Sequence, residues 1–167
     1  MTNECRVLIL LAHPALEKSR VNVALASAAM NVDGVTVADL YECYPDFYIR
    51  KEIEQRRLLE YDVIVFQHPM YWYSAPALLK EWQDIVLEYG FAYGKGGTKL
   101  TGKALMNAFS AGSFRHEFED ELDPLTLRRL LLPFERTARY CGMRYLPPFA
   151  SYGAGGLTAA EIEAQCE

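Results

Sequence analysis

Three short segments carry most of the side chains able to do chemistry: residues 13–22 (HPALEKSRVN), 68–72 (HPMYW) and 110–116 (SAGSFRH). Each follows an apolar run of strand length. In the first, Lys18, Ser19, Arg20 and Asn22 gather cationic, hydroxyl and amide donors where a helix begins. Free backbone N–H groups and the positive end of the helix dipole make such a place a seat for phosphate. Taken alone, that loop reads more often as a solvated turn with a serine cap. The other two segments shift the balance. Tyr71, Trp72 and Tyr73 are three adjacent aromatics at the end of a strand, where open α/β sheets place their ligands. They could hold a flat ring, or form an exposed patch for a partner chain.

A metal site is not expected. His13, His68 and His116 stand singly at three strand ends, and no H-E-x-x-H is present. His13 and His68 are expected instead to donate hydrogen bonds within their loops. The run 94–99 (GKGGTK) matches neither G-x-x-x-x-G-K-[ST] nor G-x-G-x-x-G and precedes a strand. It reads as a flexible connection.

The elements that must position these loops follow from periodicity. Residues 6–12 (RVLILLA) are apolar enough for a strand covered on both faces. A helix then runs to about Met30, Asp33-Gly34 turns the chain, and residues 35–40 form a second strand. A loop over 41–47 and a charged surface helix over 50–60 follow. The third strand, 62–67, leads into a helix with Ser74 as N-cap, Pro76 in the first turn, and a stripe of Leu78, Leu79, Trp82, Ile85, Val86 and Tyr89. Residues 103–110 are a fourth strand. The helix over 126–140 is kinked or delayed by Pro133, and 143–150 are a fifth strand. Thr158 and Glu161 form a capping box for a last helix. This alternation predicts a parallel sheet with helices on both faces. Five strands suit the α/β flavodoxin-like fold, order 2-1-3-4-5, as a single domain over 1–167. Strands one, three and four are neighbours in that order, so the three segments meet at one rim.

With 167 residues and 51% hydrophobic content, one domain can build a core. No apolar run approaches the roughly 20 residues that span a bilayer. The start, Met1 to Cys5, has no leader-like pattern and is expected to enter a strand directly. A net charge of −5 argues against a nucleic-acid partner. Cys5, Cys43, Cys141 and Cys166 have no metal or disulfide spacing and read as reduced thiols.

Beyond these patterns, residues 39–41 (DLY), 44–47 (YPDF), 67–72 (QHPMYW), 76–80 (PALLK) and 90–94 (GFAYG) with Gly96-Gly97 occur in that order. The chain thereby resembles the flavodoxin-like NAD(P)H:quinone oxidoreductases, and within them the ancillary oxidoreductases of glutathione-regulated potassium-efflux systems. The resemblance covers nearly the whole chain. It implies a flavin, FMN in short members with FAD as the other form, and NADH or NADPH as co-substrate. It further implies a homodimer that reduces a quinone in the cytoplasm, or at the inner face of the membrane beside a potassium-efflux antiporter. By motif position His13, Ser19, Arg20, Val21 and Asn22 would hold the phosphate and ribityl chain. Pro69, Met70, Tyr71 and Trp72 would flank the ring, and Ser110, Ala111, Gly112 and Ser113 would meet its pyrimidine edge. Ser113 departs from the family, which has a pair of glycines there. His116 is the candidate proton donor to the quinone, its alternative role being that of a helix-start or interface residue. Two further readings stand beside the reductase: a regulatory subunit of the antiporter, and a one-electron carrier of flavodoxin type.

Overall fold

Leu8, Leu10, Ile64 and Phe66 are all but inaccessible to solvent, as near-continuous apolar strands require when both faces of a sheet are covered. They belong to the two central strands of a computed structural model that describes residues 5–119 and 126–167. Most of the expected leader-free start, residues 1–4, lies outside that range.

In chain order the elements are β1 (Val7–Leu11), α1 (Arg20–Ala29), β2 (Val35–Asp39), α2 (Leu40–Cys43), α3 (Lys51–Leu59), β3 (Val63–Pro69) and α4 (Ala77–Val86). They continue with β4 (Ala104–Ser110), α5 (His116–Glu119), α6 (Leu127–Leu130), α7 (Leu132–Tyr140), β5 (Arg144–Tyr145), β6 (Phe149–Ser151) and α8 (Ala159–Ala164). The sheet runs β2-β1-β3-β4-β5, with β6 also on β4, and every pairing is parallel. Helices cover both sides. This is the flavodoxin-like order read from the sequence, with one strand more.

The extra strand comes from Pro147 and Pro148, which cannot donate to a sheet ladder. Ala104 and Leu105 pair with Arg144 and Tyr145, whereas Ala108 to Ser110 pair with Phe149 to Ser151. Three residues thus face two on β4, and the single expected strand splits into β5 and β6 around that bulge. Pro133 acts similarly. The expected helix over 126–140 is two pieces, and Pro133 sits in the first turn of α7, where its missing N–H has no partner to lose.

Helix α4 packs as its pattern predicts through Leu78, Leu79, Trp82 and Val86, all buried, with Trp82 edge-on to Phe66. Two details differ. Its N-cap is Pro76, with no side-chain cap, because the Ser74 backbone closes a turn with Tyr71 instead. The helix also ends before Tyr89, which is 61% exposed and meets the Tyr93 ring edge-on. Helix α3 is less superficial than its charges suggest. Glu54 is fully buried, accepting from the Tyr44 hydroxyl at 2.7 Å and the Trp82 indole N–H at 3.0 Å. The 94–99 connection is a tight turn, since a Cβ on Gly97 would meet the Tyr93 carbonyl oxygen at 1.9 Å. The Thr158–Glu161 capping box forms as expected at α8.

Candidate functional site

The ends of β1, β3 and β4 do converge. Beyond them lies a hollow of about 410 Å³ that joins a smaller one of about 200 Å³, Met70 and Gly112 lining both. A volume of this order suits a small-molecule site. Two larger hollows, each about 770 Å³, lie beside α7 and away from the phosphate seat. Size alone therefore does not select the site; convergent polar groups do.

At one end of the main hollow is the start of α1. Ser19 caps it, its hydroxyl accepting from the Asn22 backbone N–H. The N–H groups of Arg20 and Val21 have no acceptor within the helix. Lys18, Ser19, Arg20 and Val21 all line this end, so a cation, a hydroxyl and free N–H groups face one place. The donor set fits a phosphate. Arg20 is anchored, donating from Nη1 to the Leu157 carbonyl at 3.0 Å.

Asn22 sits beneath the seat rather than on it. Its side chain is buried and donates to Ser19 Oγ at 3.0 Å and to Ser110 Oγ at 2.8 Å. Gln67 in turn donates to the Asn22 carbonyl at 3.0 Å. One buried amide thus ties the phosphate end of the hollow to the end of β4, a positioning role rather than direct contact.

The opposite wall is the aromatic loop. Pro69, Met70 and Tyr71 line the main hollow; Trp72 and Tyr73 line the smaller one. Tyr71 and Ser74 exchange both backbone hydrogen bonds, at 2.9 and 3.0 Å, closing a two-residue turn. Its central residues, Trp72 and Tyr73, have φ of 49° and 63°, values that Asn-Gly normally supplies in such turns. Two bulky residues held there mark a strained loop, of the kind found at ligand sites. Trp72 projects into solvent, 94% exposed.

The rim is completed by Ser110 and Gly112 on the main hollow and Ala111 and Ser113 on the smaller one. Nothing lies within 4 Å of where a Gly112 Cβ would be, so space at this bend is open. The loop after β6 clamps the rim: Gly153 N–H donates to the Ser113 carbonyl and Ala154 N–H to the Ala111 carbonyl, both at 2.9 Å. Ala154 and Gly155 line the hollow. Lys18 and Tyr73 line the hollows as their segments predicted, whereas Ala154 and Gly155, with Ala15 and Phe118, were not among the expected contacts. The glycine-rich 153–156 run at a strand end is the one signal that could have pointed there.

Of the three histidines, His13 lines the main hollow. It accepts at Nδ1 from the Ala15 N–H at 3.1 Å instead of donating, which leaves Nε2–H as its donor. Burial holds its pKa below the ordinary range, against the opposing pull of Glu17 and Asp39. His68 lies inside β3 itself, fully buried. His116 opens α5, exposed and stacked on Phe114 at 6.0 Å, and lines neither hollow. Among the described residues no group of three His, Cys, Asp or Glu could hold a metal, and no helix is long and apolar enough to cross a membrane.

The comparisons follow this geometry. The family described as having a flavodoxin-like fold matches residues 5–167. An NAD(P)H oxidoreductase of Bacillus subtilis, YrkL, is 45% identical over 97% of this chain and 94% of its own. The chain belongs to the flavodoxin-like NAD(P)H oxidoreductase family. Within that family, the potassium-efflux ancillary protein KefG of Salmonella newport is 46% identical over 92% of this chain and 85% of its own. General stress protein 14 of Treponema denticola, solved in complex with FMN, superposes with a TM-score of 0.89 at 36% identity, over 96% of this chain and 93% of that one. An NADPH-quinone reductase of P. pentosaceus gives 0.86 at 34%, with the same coverage. A chain described as a thermophilic tryptophan halogenase of Streptomycin violaceusniger gives 0.91 at 44%, over 95% and 93%. Likeness of fold does not choose a substrate.

Proposed function

We propose that this chain, a single domain over 1–167, is an FMN-dependent NAD(P)H:quinone oxidoreductase, NAD(P)H and a proton reducing a quinone to its hydroquinone. The observation that carries the reading is the junction of a phosphate seat at α1 with a wall of Pro69, Met70 and Tyr71 in one hollow, continued by Trp72 on the adjoining one. Support comes from a relative solved with FMN and another named an NADPH-quinone reductase. Bound FMN would accept hydride from the nicotinamide and pass two electrons on. The chain's own residues do the rest. Ser19, Arg20 and the first N–H groups of α1 bind the phosphate. Met70 and Tyr71 support the ring, and Trp72 extends their wall over the smaller hollow. With the Ala111 N–H spent on the Ser151 carbonyl, the backbone N–H groups of Gly112 and Ser113 would favour negative charge at the ring's pyrimidine edge. His116, three residues past Ser113, delivers a proton to a quinone reaching out of the hollow.

The test is purified protein examined for the visible bands of bound flavin, then for NAD(P)H oxidation with excess quinone in a double-displacement pattern. Absence of flavin bands, with no uptake of added FMN, overturns the reading. Intact flavin without turnover points to the second reading, a regulatory subunit of a potassium-efflux antiporter at the inner face of the membrane, which the similarity to KefG favours. The carrier alternative gains nothing from the site.

A further inference from the structure

Beneath the aromatic loop runs a hydrogen-bonded chain whose direction one atom decides. His68 is fully buried between Phe109 and Phe134, with ring centroids 6.4 and 5.8 Å away and planes tilted by 26° and 28°. Its Nδ1 lies 3.0 Å from the Pro69 carbonyl oxygen, and its Nε2 lies 3.1 Å from Nδ2 of Asn107. A carbonyl oxygen can only accept, so Nδ1 carries the proton. Burial disfavours the imidazolium and pushes the ring's pKa down to about 4. Nε2 is therefore the acceptor, and the Asn107 amide donates to it. That orientation leaves Asn107 Oδ1 free to accept from the Tyr145 hydroxyl, which it does at 2.8 Å. The order from Tyr145 to Asn107, His68 and Pro69 admits no reversal without an unpaired buried group.

Pro69 is the last residue of β3, paired with Ser110 and lining the main hollow. The next residue, Met70, donates its N–H to the Ser110 carbonyl at 2.7 Å. Packing alone does not call for imidazole at position 68, because a phenylalanine would fill the slot between two rings. Tyr145 lines neither hollow of the site. Any influence it has there travels through Asn107 and His68.

We propose that His68 is a positioning residue for the cofactor hollow: held as its Nδ1–H tautomer by Asn107 and Tyr145, it fixes the Pro69 carbonyl and with it the wall against which the flavin ring lies. The role rests on the flavin reading above. His68 does not touch the reacting atoms; it acts through the backbone of Pro69 and Met70.

The test uses the full chain. NMR of protein labelled with ¹⁵N-histidine identifies which ring nitrogen of His68 is protonated, and FMN titration with visible spectra compares wild type, His68→Phe and Tyr145→Phe. We expect the Nδ1–H tautomer in wild type. His68→Phe should unfold cooperatively yet bind FMN about tenfold more weakly, the scale of one lost buried hydrogen bond, with a displaced visible band. Tyr145→Phe should shift affinity the same way by about threefold and give mixed tautomers. An Nε2–H tautomer in wild type overturns the proposal. So does wild-type FMN affinity and spectrum in His68→Phe or, should that variant not fold, wild-type tautomer and affinity in Tyr145→Phe. A wild type that binds no FMN, whatever its tautomer, overturns the flavin reading and the role together.

Discussion

Two buried ionisable side chains set the chemistry of single residues here. His68 stays neutral in the fold, its pKa about 4 against an ordinary 6.5. Between those values the unfolded chain takes up a proton that the folded chain refuses. The stability associated with the neutral ring is thus fully present above about pH 6.5, is lost as pH falls, and levels off below about pH 4. The loss is at most roughly 3 kcal/mol. Urea unfolding of wild type and His68→Phe at a series of pH values measures it, and equal pH slopes would count against a neutral buried ring. Glu54 is the second. Its carboxylate accepts from Tyr44 and Trp82 and stands 2.8 Å from Arg57 Nη1, an ion pair that lacks hydrogen-bond alignment. Glu54→Leu would leave two buried donors without an acceptor. It should cost about 3 kcal/mol, from donors that lose a charged partner, and chemical denaturation reads this directly.

At the scale of elements, the start of α1 both begins a helix and seats an anion. Ser19→Ala removes the cap and should cost about 1 kcal/mol of stability. It also removes the hydroxyl that meets Asn22, so FMN should be lost more readily on a desalting column. Retention equal to wild type would sink this placement of the phosphate. Helix α4 gives the contrasting case. Ser74 looks like an N-cap, yet only its backbone is engaged, in the turn with Tyr71. Ser74→Ala should therefore change stability by less than about 0.5 kcal/mol. A loss near that of Ser19→Ala would mean the hydroxyl caps α4 after all.

For the whole molecule, the aromatic loop leaves apolar area unspent. Trp72, Tyr73 and Phe114 are 94%, 59% and 63% exposed around the open side of the smaller hollow and the segment that follows its rim. Exposed clusters of this type mark contact surfaces, and we propose that a second copy of the chain covers them. Light scattering should give twice the 19.0 kDa chain mass at micromolar concentration. Trp72→Ala should shift that mass toward the monomer. A clean monomer with a full flavin complement would refute the dimer.

Much of this architecture is carried by local sequence. Apolar runs such as 6–12 specify strands because only two-sided burial rewards them, and their alternation with helices dictates a parallel sheet and its crossovers. The Ser19 cap and the Thr158–Glu161 box were legible because capping joins residues three apart. Twelve of the thirteen expected contact residues line the two hollows, Asn22 being the exception. The sequence order of strands and loops had already implied that the rim segments meet. What it could not convey depends on partners distant in the chain. Asn22 turns inward because Ser110, 88 residues away, offers a buried acceptor. His68 finds its Nε2 partner in Asn107, which Tyr145 orients, and the clamp from 153–156 reaches the rim through the register of β6 on β4. Local patterns determined which elements form and where their ends gather. Tertiary structure decided which polar atoms face the hollow and which are spent holding it in shape, since that choice follows from hydrogen-bond partners no local window contains.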